Sequence, residues 1–328
     1  MKILIFSNIF YPAIGGIEIQ TINLTKEFIK EGHKVKVITQ QKQDSPIENI
    51  EIYHSPGFFK KIELFFWCNA FYMPNISLKG VWLLLLNPFK KWIISHNDFY
   101  LSNKNNIRIK IKLFLIKFAQ NIAVSRSVSS NINTKSVIIY NCYDDSIFKL
   151  YHDERRMYDF VFVGRLVSQK GCDLLIKACK DLDHPFTLNI IGDGPEKIKL
   201  QELVRHLQLE NSIKFLGFLP CEALPRILNR HRIMIIPSIE EEGFGIVVLE
   251  GLACGCKIIA ADAGGLAEAV DRFGMMFRMG DQQQLSLLLK DEVRNTANSS
   301  SISSELRNYL KHHTKEMIAQ KYLAFFKA

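Results

Sequence analysis

Ile233-Met234-Ile235-Ile236-Pro237-Ser238-Ile239-Glu240-Glu241-Glu242-Gly243-Phe244-Gly245-Ile246-Val247-Val248-Leu249-Glu250 carries three patterns in one run. It opens on a short apolar stretch typical of a buried strand. It passes through a loop rich in Pro, Glu and Gly, then enters a helix-period apolar segment over 246–254. Another apolar run, 257–260, follows at once. Strand, loop, helix, strand is the repeating unit of a parallel sheet covered by helices. Working outward, the second half repeats the rhythm, with predicted strands at 159–163, 186–191 and 213–216 and predicted helices at 170–180, 195–208, 221–229 and 282–293. The first half starts the pattern afresh, with strands expected at 2–6, 34–38, 92–95, 120–124 and 136–140 and a helix at 16–31. Two such runs predict an α/β chain of two doubly wound domains. The polar stretch 141–158 is the expected linker, so the domains are read as 1–150 and 151–309. Thr296 to Ser304 reads as a loop, and a final helix is expected over about 305–325.

The 328 residues suit two domains. A chain 48% hydrophobic and 23% charged can bury a large core, which excludes global disorder. The longest clean apolar run, Val81 to Leu86, falls far short of the ~20 residues of a membrane-spanning helix. Met1-Lys2 leads straight into a strand-like run, so no secretory signal is expected. The cysteines at 68, 142, 172, 179, 221, 254 and 256 form no CxxC pair and read as reduced thiols of a cytoplasmic protein. Charge is uneven. Residues 1–150 hold 19 Lys and Arg against 10 Asp and Glu, whereas 151–328 hold 23 of each. Between 60 and 126 there are 11 bases and only Glu63 and Asp98 as acids, with aromatic residues interleaved. An anionic partner suits this stretch, as does a merely solvated surface. Ile107 to Phe118 fits an interfacial helix on anionic lipid, and a core helix with basic edges fits the same pattern.

In open parallel sheets, ligands bind beyond the carboxyl ends of the strands. The loops there carry the candidate chemistry. After 2–6, Gly15-Gly16 precedes a helix, where backbone can approach a ligand closely and anions are favoured. After 159–163, Arg165 and Lys170 sit between Gly164 and Gly171, a fork and a point charge suited to phosphates. After 233–236, Gly243-Phe244-Gly245 can expose backbone N–H groups at a helix start. Glu250 lies in the apolar helix beyond, where a carboxylate is costly unless paired or hydrogen-bonded. Gly264-Gly265 with Glu268 repeats the theme.

Taken in order, these motifs resemble those of the GT-B glycosyltransferases of the large retaining family 4. The Glu242-x7-Glu250 spacing around Gly243-Phe244-Gly245 is similar to that family's signature, and Gly164-Arg165 with Lys170-Gly171 to its phosphate pair. Gly15-Gly16-Ile17-Glu18, Gly32-His33-Lys34-Val35, Ser125, Asn141 and Gly264-Gly265 also fall in step. The resemblance implies a GT-B fold: two Rossmann-like domains facing an interdomain cleft, acceptor-binding first and nucleotide-sugar-binding second, with a C-terminal helix over about 310–328 packing back onto the first. It implies that Arg165 and Lys170 hold the donor diphosphate. Glu250 would bond the ribose and Glu242 would sit by the sugar. Amides of Phe244 and Gly245 would contact its hydroxyls and phosphates, and Gly16 would approach from the opposite domain. His96, after a strand, resembles the family's first-domain active-site histidine.

The implied activity is retaining, metal-independent hexosyl transfer from a nucleotide-sugar, UDP favoured over GDP. The acceptor would be a lipid-linked molecule or a saccharide in bacterial surface polysaccharide or lipopolysaccharide synthesis. Two cations and helix-start amides supply the charge stabilisation that a departing diphosphate needs. No carboxylate is placed as a covalent nucleophile, which favours front-face attack with the phosphate taking the acceptor's proton. Asp181-Leu182-Asp183 looks like a metal-binding DxD but reads as a surface turn, so no metal or other cofactor is expected. The protein is expected to be cytoplasmic and peripheral at the inner face of the plasma membrane, held on anionic lipid by residues 60–126, with no nucleic acid bound. The competing readings are a GT-B sugar-nucleotide epimerase and a non-enzymatic basic binder of membrane or nucleic acid. The sequence departs from the family over 58–91, and at Lys257, where the family usually has proline.

Overall fold

A computed structural model describes residues 1–10, 15–41, 47, 49–100, 106–295 and 302–328. The chain divides into two compact units. Unit 1 comprises Met1–Cys142 with His313–Ala328, and unit 2 comprises Tyr143–His312.

Unit 1 runs β1 (Lys2–Ser7), α1 (Gly16–Lys30), β2 (Lys34–Thr39), β3 (Glu51–His54), α2 (Phe58–Trp67), β4 (Ala70–Pro74), α3 (Leu78–Val81), β5 (Lys91–His96), α4 (Ile107–Leu115), β6 (Gln120–Ala123), α5 (Arg126–Ile132) and β7 (Val137–Ile138). Its parallel sheet has the order β3-β2-β1-β4-β5-β6-β7, so the winding reverses between β1 and β4. Alternation along β1 splits the core. Ile3 and Ile5 face α1 and the C-terminal helix, where Phe28, Tyr322 and Phe326 cluster. On the opposite face, Phe6 and Phe65 each meet Phe71 edge-on, at 6.4 and 5.3 Å between ring centroids.

Unit 2 runs β8 (Tyr158–Val163), α6 (Cys172–Cys179), β9 (Leu188–Ile191), α7 (Lys197–His206), β10 (Ile213–Gly217), α8 (Leu224–Asn229), β11 (His231–Ile236), α9 (Ile246–Ala253), β12 (Lys257–Asp262), α10 (Leu266–Val270), β13 (Gly274–Arg278), α11 (Gln282–Arg294) and α12 (Ser304–Lys311). The order β10-β9-β8-β11-β12-β13 puts the reversal between β8 and β11. The inner strands β9, β11 and β12 are largely buried on both faces and read as near-continuous apolar runs, as parallel sheets require.

The structure corrects several expectations. The boundary falls at 142/143, not 150, and 141–158 is no free linker. Tyr143 and Phe148 are buried, and the Arg156 guanidinium donates to the carbonyls of Leu228, His231 and Cys254, fixing the stretch onto unit 2. The single expected terminal helix is two, because the Thr314 hydroxyl accepts the Met317 N–H and starts α13 (Lys315–Lys327) as a separate helix. That helix belongs to unit 1, where Ile318 and Phe326 are buried at about 1.5–3 kcal/mol each and the Tyr322 ring packs against Phe28, Tyr72 and Phe326. Strands β3, β4 and β13 were not expected, and β7 is shorter than expected. The loop expected over 296–304 lies largely outside the described residues. Lys257 opens β12 and pairs with Glu292 at 3.0 Å.

Candidate functional site

Three loops of unit 2 leave the carboxyl ends of β8, β11 and β12 on either side of the β8/β11 reversal and beside it. Backbone bonds sew them together. The Ile239 N–H donates to Gln169 O at 2.9 Å, joining the loops after β11 and β8. Glu242 N donates to Ala263 O and Gly265 N to Glu242 O, a one-residue parallel bridge to the loop after β12.

Glycine is what allows this closeness. Gly171 has φ +65°, and a Cβ there would lie 1.9 Å from Pro237 O. Gly192, at φ +141°, would meet Gly164 O at the same distance. Any side chain at either position would push a neighbouring loop away.

The fold brings Lys170 and Glu242 together, 72 residues apart in sequence. Lys170 Nζ stands 2.7 Å from Glu242 Oε1, with both side chains half-buried. Ser238 also donates to Glu242 Oε1. Ser238 carries no sequence signal beyond its place after the strand. Arg165, in the same loop as Lys170, is exposed. Gly243 is half-buried, Phe244 is buried as a packing residue, and Gly245 in the left-handed region starts α9. Helix starts leave amides unpaired and carry positive potential, so α9 presents an anion-favouring end to the loop that holds Glu242.

Glu250 lies further along α9 and is only 7% exposed. Burial, with Asp144 nearby, raises its pKa to about 7. No cation pairs with its carboxylate among the described residues. Such a group is costly in an apolar helix and is stabilised by a hydrogen-bonding ligand. Asp144 has no counterpart in the sequence reading, because it lies 106 positions before Glu250.

Unit 1 places the remaining candidates. Gly15 caps α1 in extended backbone and Gly16 is its first residue. His96 ends β5, as its position after a strand suggested, but its ring is fully buried. Nε2 is 2.9 Å from Asn121 Oδ1, and Nδ1 is 3.1 Å from the Tyr100 hydroxyl. The Asn121 amide nitrogen donates to Ile116 O and Ala119 O, which fixes its oxygen toward the ring. Nε2 therefore carries the proton and Nδ1 accepts from Tyr100. Burial lowers the His96 pKa to about 4. Both nitrogens are engaged, so in this conformation the ring holds the strand end and offers nothing to a substrate. The partners Tyr100 and Asn121 were invisible in sequence, since only the sheet register brings Asn121 near.

Asp181-Leu182-Asp183 lies in a surface turn after α6. Asp183 there bonds His184 at 2.7 Å and pairs with Arg294. Among the described residues, no cluster of His, Cys, Asp or Glu is arranged to hold a metal ion. Also among them, no helix is long and apolar enough to cross a membrane.

Residues 146–316 match the family described as Glycosyl transferases group 1. An uncharacterized glycosyltransferase of Methanocaldococcus jannaschii is 30% identical over 299 residues, spanning 82% of this chain and 81% of that protein. The phosphatidylinositol N-acetylglucosaminyltransferase gpi3 subunit of Schizosaccharomyces pombe is 23% identical, spanning 94% and 74%. Among solved structures, Anabaena HepE in complex with UDP and glucose superposes with a TM-score of 0.84 over 100% of this chain and 99% of that one, at 20% identity. That likeness shows the fold, which is GT-B.

Proposed function

Because the chain belongs to the glycosyl transferases group 1 family, we propose that it is a retaining, metal-independent hexosyltransferase using a nucleotide-sugar, UDP-linked in preference to GDP-linked. The acceptor is a lipid-linked molecule or saccharide of bacterial surface polysaccharide or lipopolysaccharide synthesis, met at the cytoplasmic face of the membrane. The observation that carries the reading is the Lys170–Glu242 pair, set among tied loops at the reversal of the unit 2 sheet, with Arg165 in the loop that carries Lys170 and buried Glu250 further along α9. Similarity to a HepE structure bound to UDP supports the donor, and similarity to a phosphatidylinositol N-acetylglucosaminyltransferase subunit supports a lipid acceptor.

In this reading the donor diphosphate takes Lys170 from Glu242, and Arg165 closes on it from solvent. As the bond from the sugar's anomeric carbon to the phosphate oxygen breaks, negative charge grows on the departing diphosphate. Lys170, Arg165 and the amides around Gly243–Gly245 stabilise that charge more in the transition state than in the ground state. The acceptor hydroxyl attacks from the same face, forms the new glycosidic bond and passes its proton to the departing phosphate. Released Glu242 bonds the sugar hydroxyls, and Glu250 bonds the ribose. We give His96 a positioning role, because a reacting role requires Tyr100 or Asn121 to let go of the ring.

Incubation with UDP- and GDP-sugars and lipid-linked acceptors, scored for nucleoside diphosphate release, tests the proposal. Acceptor-dependent UDP release with the anomeric configuration kept in the product is expected, without loss on adding a chelator. Conversion of a UDP-sugar without acceptor, inversion, or no release with any acceptor would overturn it.

A further inference from the structure

Helix α4 has no buried residue, although most of its side chains are apolar. Ile107, Ile111, Phe114 and Phe118 recur at spacings of four, three and four, so they form one stripe along the helix and the turn that continues it. All four are exposed, Phe118 by 71%, and the Phe114 and Phe118 rings meet edge-on at 5.4 Å. The opposite stripe, Ile109, Leu113 and Ile116, faces inward and ends in fully packed Ile116. Arg108 and Lys112 line one flank of the outer stripe, and Lys110 and Lys117 line the other. No acid occurs between Asn106 and Gln120.

A second group of apolar side chains is exposed. Phe59, Leu85 and Phe89 are each more than four-fifths exposed, with Lys61 and Lys91 nearby in sequence, whereas Lys60 pairs with Glu63 and Lys90 donates to Cys68 O. Phe58 stacks on Trp82 at 5.0 Å, which joins α2 to the segment that carries Leu85. The two patches share a side of the sheet. Strand order and right-handed crossovers place α2, α3 and α4 on the face opposite α1 and α13.

We propose that this face of unit 1 docks on an anionic lipid bilayer, with the 107/111/114/118 stripe and the Phe59–Phe89 patch entering the acyl boundary and the flanking cations meeting headgroup phosphates. The surface is where the proposed lipid-linked acceptor would be met, so its purpose rests on that reading. Its evidence does not. Exposed hydrocarbon on this scale needs a non-aqueous partner. Exposed Phe and Ile run along the helix with cations on both flanks, the arrangement of a helix lying in a membrane interface. A nucleic acid backbone would pair with the cations but leave the apolar stripe between them in water. A second copy would bring four like charges against four.

Flotation with vesicles of equimolar phosphatidylglycerol and phosphatidylcholine, against phosphatidylcholine alone, tests this on the full chain. Binding to the anionic vesicles only, weakening with salt, is expected. The Phe114→Ser/Phe118→Ser double variant should lose about tenfold or more in partitioning, and Lys110→Ser or Lys112→Ser about fivefold each. Phe89→Ser, on a separate element, should also weaken binding. Melting temperatures and the thermal shift given by UDP should stay unchanged in all four, which separates failure of docking from failure of the donor reading. Equal binding to neutral vesicles, vesicle binding indifferent to the Phe114/Phe118 change, or salt-dependent DNA binding without vesicle binding would overturn the proposal. So would a wild-type dimer that these variants make monomeric without any vesicle binding.

Discussion

Units 1 and 2 are built on the same parallel, doubly wound plan, yet they place their chemistry differently. Unit 2 brings one half-buried ion pair, Lys170 and Glu242, onto loops held by backbone bonds and by glycines that admit no side chain, with exposed Arg165 in the same loop as Lys170. Unit 1 has neutral polar groups in and just after its strands, and they are bonded within the unit: Asn75 to Asp98, His96 to Asn121, Tyr72 to Ser95. Its cations stand outside, among exposed aromatics. The sheet is indifferent to function. What differs is whether a post-strand loop carries charged groups that a ligand can exchange for one another, as with Lys170 and Glu242, or neutral polar groups bonded to hold the loop itself.

The largest expected effect breaks that contrast at the charges. Arg165→Ala and Lys170→Ala should each lower kcat about 10²–10³-fold, since each removes stabilisation of a departing diphosphate. Lys112→Ala, an equal loss of charge from unit 1, should leave kcat on a soluble acceptor unchanged, and steady-state rates decide it.

Next come the glycines. Gly171→Ala and Gly192→Ala should each destabilise unit 2 by about 3 kcal/mol, through positive φ and collision with a neighbouring carbonyl. Urea unfolding followed in each unit separately would show whether the loss stays local. Gly57→Ala, with open space around it in unit 1, is the control.

A smaller effect follows from titration, and it has opposite signs in the two sites. The Glu250 carboxyl titrates at about 7 in the fold, above the model-peptide range near 4.5, so its ionisation opposes folding as pH rises between those values. Glu250→Gln should therefore stabilise the ligand-free protein by on the order of 1–3 kcal/mol at about pH 8 and not at about pH 4.5. The same change should weaken UDP binding. His96 is held neutral, so its contribution runs the other way: stability is lost as pH falls from about 6.5 toward 4, because the unfolded chain takes up the proton first. His231, in unit 2, adds to this loss in the same way. Its Nδ1–H is donated to Ile227 O, its Nε2 accepts from Asn189, and burial lowers its pKa to about 4. Calorimetry across this range checks both signs.

The smallest effect sharpens the reading of the unit 1 surface. Phe118→Ser should change stability by no more than about 0.5 kcal/mol, since the ring packs on little besides Phe114. A loss several times larger would make it a core residue.

How legible each part was follows the same divide. In unit 2, long apolar runs separated by glycine loops announced β8 to β12 to within two residues at each end. Gly274-Met275-Met276-Phe277-Arg278 escaped notice because it begins on glycine and lacks β-branched residues. In unit 1, Ala70-Phe71-Tyr72-Met73-Pro74 is a buried central strand that ends in proline and lies in a stretch already crowded with aromatics, so its period is hidden. Charge counting found the basic region there. The outward stripe of α4 emerged only when Ile109, Leu113 and Ile116 were seen to face inward. His96 was placed correctly at a strand end, but its satisfaction depends on a residue 25 positions away. Thr314 before Lys315-Glu316 was a readable cap signal that separated α12 from α13.

The most direct test is calorimetric titration of UDP into the wild-type protein and into the Arg165→Ala/Lys170→Ala double variant. The account predicts measurable binding to the wild type and a loss of about 100-fold or more in the double variant, with the fold intact. Undiminished binding to the double variant would contradict it.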